Sequence, residues 1–110
     1  MPERQPMSEA MYYILLALLH PVHGYGVMQR VRELSGGRLV LGPGTLYTIL
    51  GKFEKEHYLQ EIHVEGRKRT YRITERGELA YAQELERLRT CLADAQRLPP
   101  PAIPQPESPV

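Results

Sequence analysis

Apolar residues recur at helical spacing in three segments of the first half of the chain. The first segment, residues 10–20, has apolar side chains on nearly every face, so we expect a helix buried in the core or across a subunit interface. Ser8 is placed to cap this helix and Pro21 to end it. A second helix is predicted over residues 25–34, after a turn at residues 23–26 that contains two glycines.

The third segment begins at Gly42-Pro43-Gly44, where proline suits the first helical position because its missing N–H would have no partner there. A very short extended piece is predicted just before it, at residues 39–41. One face of the helix is apolar and is predicted to pack on the core, while the other is small, polar or cationic. The predicted core face consists of Leu46, Ile49, Leu50 and Phe53, and the opposite face of Thr45, Thr48, Lys52 and Lys55.

Beyond the third helix the apolar pattern changes from helical to alternating. Residues 61–64 alternate, with Ile62 and Val64 as the apolar members, and residues 70–73 alternate again. The four residues 65–68 join the two runs, so the pattern predicts a β-hairpin. Thr74 is then placed to cap a long final helix over residues 75–98, which Pro99 ends.

The order helix, helix, helix, hairpin, helix predicts a mainly α fold of the α+β class. This order of elements is typical of a winged helix-turn-helix followed by a long C-terminal dimerisation helix. In this arrangement the third helix enters a major groove of DNA, and the hairpin, or wing, lies over the backbone or an adjacent minor groove. Residues 8–74 form the predicted DNA-binding domain and residues 75–98 the dimerisation helix. Residues 1–7 and the proline-rich residues 99–110 are predicted to be disordered.

The composition is that of one domain with a single modest core. The chain has 110 residues, of which 42% are apolar and 25% charged, as is ordinary for a soluble globular protein. No apolar run approaches the roughly 20 residues that span a bilayer, and the N-terminus lacks the pattern of a signal peptide. The single cysteine, Cys91, has no intramolecular disulfide partner. We therefore expect a cytoplasmic protein with no membrane partner.

Positive charge is concentrated in the predicted hairpin, although the net charge of the chain is only +1. Cations on a projecting hairpin neutralise phosphates and release counterions, which predicts salt-dependent binding to DNA. A basic turn by itself is equally compatible with a solvated loop, but the preceding helix, with its two lysines, makes DNA the favoured partner. Six consecutive residues without an acid hold four of these cations: Arg67, Lys68, Arg69 and Arg72.

Three groups of residues together resemble the PadR-like family of transcriptional regulators. His23-Gly24-Tyr25 is the first, Gly44-Thr45-Leu46-Tyr47 with Leu50 is the second, and the run over residues 66–74 followed by Gly77 is the third. Their order and spacing resemble those of the family over roughly residues 12–80. The resemblance implies a winged-helix homodimer that represses transcription from a pseudo-palindromic operator. It also implies that a small-molecule effector releases the protein from DNA, as in many members.

The resemblance further implies which residues contact double-stranded DNA. Tyr47 allows two interpretations, since its phenol either donates a hydrogen bond to a phosphate or packs at the edge of the core. With the cations of the exposed helix face included, the predicted contacts are Thr45, Tyr47, Thr48, Lys52 and Lys55 of the third helix and Arg67, Lys68 and Arg69 of the wing.

Two departures from the family pattern bear on these expectations. Gly42 stands where members commonly have serine, but glycine caps a helix nearly as well, so the third helix should still form. The chain contains no tryptophan. Some small members resembling this chain bind flat drugs against aromatic rings at the dimer centre, and the missing tryptophan puts that activity in doubt.

The final helix carries an apolar seam with 4-3-4-3 spacing, which is typical of a coiled coil. A helix of this length extends past so small a domain, so we expect the seam to bind a second copy of the chain. The alternative is packing onto the protein's own first helix. The same apolar residues, with Tyr12, either line an effector cavity between subunits or fill a core. The predicted dimer interface consists of Met11, Leu15, Tyr81, Leu85, Leu88 and Leu92.

The sequence does not indicate an enzyme. Its four histidines show no metal-ligand spacing, and Cys91 has no second cysteine with which to complete a metal site. Neither a nucleophile motif nor a phosphate-binding loop is present. We expect no cofactor and no metal. The rival function is a winged-helix adaptor that binds a protein instead of DNA, with the proline-rich tail as ligand for a partner domain.

Overall fold

A computed structural model describes residues 6–99 of the chain. Its α+β winged-helix architecture confirms the predicted fold class. The disorder predicted for the two ends falls mainly on residues 1–5 and 100–110, which lie outside the described residues. The elements follow one another in the order α1 (Glu9–Ala17), β1 (Val22–His23), α2 (Gly24–Leu34), α3 (Pro43–Lys55), β2 (Leu59–Glu65), β3 (Lys68–Ile73) and α4 (Glu75–Gln96).

Side-chain caps start two of the four helices where the sequence predicts them. The Ser8 side chain accepts a hydrogen bond from the N–H of Met11 at 3.1 Å at the start of α1. At the start of α4 the Thr74 side chain accepts one from the N–H of Gly77, also at 3.1 Å. The Thr74 hydroxyl donates to the carbonyl oxygen of His57 at 2.5 Å, which joins the start of α4 to the end of α3.

Both α1 and α4 end earlier than the sequence predicts. α1 ends at Ala17 and not near His20, because Arg30 of α2 satisfies carbonyl groups at its end. The Nη1 atom of Arg30 donates to the oxygen of Ala17 at 2.8 Å and to that of His20 at 3.0 Å. α4 ends at Gln96. Since the arginine comes from a different helix, the local pattern around α1 cannot show where α1 ends.

A two-residue strand, β1, lies where the sequence predicts the start of a turn. Val22 pairs with Tyr71, which makes β3 the central strand of an antiparallel sheet ordered β1-β3-β2. His23 also caps α2, since its Nδ1 accepts a hydrogen bond from the N–H of Gly26 at 3.1 Å. Two residues show no periodicity, so the strand is not visible in the sequence. The extended piece predicted at residues 39–41 forms no strand.

β2 contains a bulge that changes which of its residues share a face. The pairing with β3 shifts between Glu61 and His63, so Ile62 is the extra residue. Regular alternation places Ile62 and Val64 together on one buried face, yet these side chains are 43% and 51% exposed because the hairpin extends beyond the core. Because of the bulge, Glu61 lies directly opposite Tyr71.

The core lies between the helices and the base of the sheet. Leu15, predicted at the subunit interface, has no exposed surface and belongs to this core instead. Gly77 lets α4 approach the sheet, since a Cβ atom there would collide with the carbonyl oxygen of Tyr58. No helix within residues 6–99 is long and apolar enough to cross a membrane. The main buried side chains are Ile14, Leu15, Leu18, Val27, Val31, Leu46, Leu50, Phe53, Leu59, Tyr71, Ile73 and Ala80.

Candidate nucleic-acid interface

The orientation of α3 is set by three buried side chains, Leu46, Leu50 and Phe53. Their spacing puts them on one stripe of the helix, which packs on the core and turns the opposite face outward. Ile49, predicted as part of this stripe, is only half-buried at its edge. The outward face carries the predicted contact residues Thr45, Thr48, Lys52 and Lys55, all of them exposed.

Tyr47 lies against the start of α2 with half of its surface exposed (51%). A Cβ atom on Gly24 would come within 3.0 Å of the Tyr47 hydroxyl and 3.2 Å of its Cε1, so a larger residue there would displace the ring by a few tenths of an ångström. The hydroxyl forms no hydrogen bond with another residue of the described part of the chain. Tyr47 therefore contacts the domain through one face of its ring and leaves its hydroxyl available.

The wing consists of β2, β3 and a tight turn at Gly66 and Arg67. Gly66 adopts a positive φ of 62°, which glycine tolerates without strain. Arg67 and Lys68 are exposed at the tip and form no ion pair within residues 6–99. Arg69 differs from them, because its Nη1 lies 3.6 Å from Oε2 of Glu61. The cationic stretch is free of acids in sequence but not in space.

A cleft of about 200 Å³ brings the third helix and the wing together. Tyr47 comes from α3, Arg67 and Arg69 come from the wing, and Gly24 begins α2, while the buried Tyr71 lies at the base of the sheet. Burial raises the pKa of the Tyr71 phenol, and the nearby Glu54 carboxylate raises it further. Two guanidinium groups and the Tyr47 phenol thus supply hydrogen-bond donors to one small concave surface, with the buried Tyr71 beneath them.

The cleft and the outward face of α3 together form a surface suited to a polyanion. Guanidinium groups bind phosphate oxygens in a planar, bidentate geometry, and phenols donate single hydrogen bonds to the same oxygens. Thr45 and Thr48 are small enough to let a groove floor come close to the helix. The surface therefore combines phosphate-binding groups with short side chains that can reach base edges.

The predicted dimer seam divides into two parts. The rings of Tyr12 and Tyr81 stack with centroids 5.4 Å apart, so the first part packs onto the protomer's own α1. Burial, and then the hydrogen bond to Tyr81, raise the pKa of Tyr12 to about 12. Met11 and Leu85 are half-buried. In the second part of the seam, Leu88 and Leu92 are 39% and 59% exposed.

α4 also buries a carboxylate at a position outside the predicted apolar seam. Glu84 is 3% exposed, and Arg87 pairs with it through two hydrogen bonds, Nε to Oε1 at 2.9 Å and Nη2 to Oε2 at 2.5 Å. Glu84 in turn raises the pKa of Arg87. A buried charge needs such a partner, so this pair fixes the Arg87 side chain along α4, 3.9 Å from Sγ of Cys91. Within residues 6–99, no group of histidine, cysteine and acidic side chains is placed to hold a metal ion.

Comparison with known proteins identifies the family. The sequence model of the PadR-like family of transcriptional regulators matches residues 14–83, from α1 into the first half of α4. The chain belongs to this family. This PadR-like chain is also 34% identical, over 71 residues or 64% of its length, to an uncharacterised 37.1 kDa protein in transposon TN4556 of Streptomyces fradiae. It spans only 20% of the length of that relative.

Solved structures show the same fold. A transcriptional regulator from Clostridium thermocellum is 27% identical to this PadR-like chain, with a TM-score of 0.68 over 79% of it and 89% of the regulator. A PadR-like transcription factor from Bacteroides fragilis, also 27% identical, gives 0.63 over 80% and 86%. Bacillus subtilis PadR in complex with operator DNA gives 0.63 over 94% of this chain and 55% of its own, at 20% identity, a likeness that shows the fold alone.

Sequence reasoning missed two residues of the cleft and one residue beside it. Gly24 is predicted as part of a turn and of a family motif, but its part in seating Tyr47 depends on a contact between α2 and α3. Tyr71 is visible as an apolar position of the hairpin but not as a residue that lines the cleft. Glu61 is hidden by the bulge, because regular alternation gives no reason to place it beside Arg69.

Proposed function

We propose that this PadR-like protein is a sequence-specific DNA-binding transcriptional regulator, a repressor that binds a pseudo-palindromic operator as a homodimer. The observation that carries the proposal is the cleft shared by Tyr47, Arg67 and Arg69, which joins the outward face of α3 to the wing. A helix and a hairpin that meet in this way can grip one stretch of duplex at the same time. The proposed location is the cytoplasm, where such a regulator meets its DNA.

The two parts of the surface have different roles in the proposal. Arg67, Lys68 and Arg69 of the wing bind backbone phosphates, a contact that is independent of base sequence. Thr45 and Thr48 lie on the exposed face of α3 and reach base edges in the major groove, with Lys52 and Lys55 on flanking phosphates. Because few of the α3 residues are long and polar, the shape of the DNA and bridging water contribute to the choice of operator.

The homodimer is proposed from the exposed part of the seam. Leu88 and Leu92 are four residues apart on α4 and leave apolar surface uncovered in the protomer, where a second copy of α4 can pack. Met11, Tyr81 and Leu85 are half-buried and border this surface, whereas Leu15 is no longer part of the interface. Two α3 helices related by a two-fold axis then read two half-sites of the operator.

The predicted effector cavity would lie where Tyr12 of α1 meets Tyr81 of α4. The stacked rings of Tyr12 and Tyr81 fill the space between α1 and α4, which favours a packed core over an effector cavity at this place. In the proposal a releasing small molecule therefore binds outside this stack.

Selection of the DNA that the protein binds tests the proposed function. The wild-type chain is incubated with a random-sequence duplex library, and the bound fraction is sequenced after several rounds. We expect a pseudo-palindromic site whose half-sites are about one helical turn, or a multiple of it, apart. Affinity that falls steeply with salt supports the regulator, while salt-insensitive binding to a protein and none to DNA favours the adaptor.

Light scattering at micromolar concentration tests the homodimer. We expect the mass of two chains for the wild type and of one chain for the variant Leu88→Glu with Leu92→Glu, since a charge at each position opposes apolar packing. Leu98→Glu is the matched control, because Leu98 is exposed beyond the end of α4. A monomeric wild type contradicts the homodimer and leaves DNA binding to be judged separately.

A further inference from the structure

An acid contacts one of the arginines that line the cleft between the wing and α3. Glu61 of β2 lies opposite Tyr71 in the sheet and diagonally across from Arg69, and its Oε2 is 3.6 Å from Nη1 of that arginine. Side chains in this diagonal relation on one face of a sheet are within reach of each other. The bulge at Ile62 produces the arrangement, because it restarts the pairing after Glu61. Glu61 therefore faces the same side of the wing as the cleft.

The ion pair between Glu61 and Arg69 is weak enough to exchange. The Glu61 side chain is 30% exposed and that of Arg69 is 62% exposed, so water screens their attraction. The contact joins one nitrogen to one oxygen and lacks the two-point geometry of the strongest guanidinium pairs. An incoming phosphate can offer two oxygens to Arg69, while Tyr47 and Arg67 offer it further donors from across the cleft.

We infer that the cleft formed by Gly24, Tyr47, Arg67, Arg69 and Tyr71 binds one backbone phosphate of DNA, and that Glu61 competes with this phosphate for Arg69. This inference rests on the proposed DNA binding and adds a negative determinant to it. Glu61 lowers affinity in two ways: it occupies Arg69 in the free protein, and its charge repels the phosphate in the complex. Glu61 therefore limits the affinity of the protein for DNA of any sequence. The contacts of α3 with base edges then contribute a larger share of the affinity for the operator.

Neutralising the acid tests the inference. Glu61→Gln keeps the size of the side chain and removes its charge, and we expect affinity for a random-sequence duplex of about 30 base pairs, roughly three helical turns, to rise. The expected gain is up to about fivefold, the upper end of the range for removing one exposed charge interaction. The salt dependence steepens by up to about 0.9 in its logarithmic slope, because Arg69 now releases a full counterion.

Glu65→Gln is the matched control on the same hairpin. Glu65 is 83% exposed in its side chain and lies 3.9 Å from His63, an arrangement that leaves Arg69 untouched. We expect this variant to change affinity less than Glu61→Gln does. In a background of Arg69→Gln, the effect of Glu61→Gln should fall to that of the control. If Glu61→Gln and Glu65→Gln raise affinity equally in the wild-type background, the inference is overturned. The loss of one negative charge anywhere on the hairpin then explains both increases.

Different outcomes separate a failure of this inference from a failure of the proposed function. They also distinguish a DNA phosphate from a free phosphate ion as the ligand of the cleft. If the wild type binds DNA and Glu61→Gln leaves affinity and salt slope unchanged, the inference alone is wrong. If the wild type binds no DNA at any salt concentration, both are wrong. Calorimetric titration with inorganic phosphate at constant ionic strength covers the remaining source: micromolar binding that Glu61→Gln strengthens, with DNA affinity unchanged, assigns the cleft to a free anion and overturns the inference.

Discussion

The third helix and the wing reach the same cleft but are held in place differently. α3 buries Leu46, Leu50 and Phe53 along its length, whereas β2 buries only Leu59 at its base and exposes the rest. A helix packed along a whole face presents its other face in one orientation, while a hairpin tip is held mainly by its own backbone hydrogen bonds. Contacts with base edges require a fixed geometry, whereas contacts with phosphates tolerate displacement. The rigid α3 therefore suits the bases, and the cationic wing suits the phosphates.

The largest expected effect concerns the packing that distinguishes the two elements. Phe53→Ala should lower the free energy of unfolding by about 3–5 kcal/mol, because it removes a wholly buried ring from beneath α3. Val64→Ala in the wing should cost no more than about 0.5 kcal/mol, since that side chain is half exposed. Chemical denaturation followed by circular dichroism measures both. Similar losses would mean that the wing is packed as firmly as the helix.

The next effect concerns charge. Replacing Arg67, Lys68 and Arg69 together by alanine should weaken binding to every DNA sequence by roughly 10- to 100-fold and flatten the logarithmic salt slope by up to about 2.7. Arg97→Ala is a control at the exposed end of α4. Fluorescence anisotropy over a range of salt concentrations measures affinity and slope. Unchanged values would remove the wing from the account of binding.

A smaller effect, confined to sequence preference, is expected from α3. Thr45→Ala combined with Thr48→Ala should reduce affinity for the selected operator by about tenfold, within the range for losing contacts to base edges. Affinity for a random-sequence duplex should change little, since neither residue is charged. Competition between the two duplexes measures the ratio. Equal loss on both would show that these threonines act on the backbone and that α3 does not read bases through them.

The smallest effect is expected where the two elements meet. Gly24→Ala should displace the Tyr47 ring, since the added methyl group comes within 3.0 Å of the hydroxyl. Affinity should fall by about fivefold, the value of one hydrogen bond, and Tyr47→Phe should match it. Arg97→Ala, at the exposed end of α4, again serves as the control. If Tyr47→Phe binds DNA as the wild type does, the hydroxyl has no part in the contact.

Residues whose signals are local could be predicted well. Ser8, Thr74 and Pro43 mark helix starts through capping and ring geometry that involve only their neighbours, and the structure confirms all three positions. The outward face of α3 follows from spacing alone, because a helix has one period. Family motifs then indicate the winged-helix fold, since their order along the chain matches its elements.

Residues whose positions depend on distant parts of the chain could not be predicted from the sequence. Leu15 has the spacing of an interface residue, but whether it faces a partner or its own core depends on how α1 packs on the rest of the protomer. The end of α1 depends on Arg30 of another helix. β1 exists only because β3 offers an edge for two residues to pair with.

The sequence by itself determined the helices, the hairpin, the cationic tip and the face that α3 turns outward, because each depends on local spacing and capping. Only the tertiary structure decided that Tyr47 rests on Gly24 and that Glu61 lies beside Arg69. The first contact joins two helices and the second joins two strands. The packed core and one bulge set the distances between these elements, and a local sequence pattern does not contain that information.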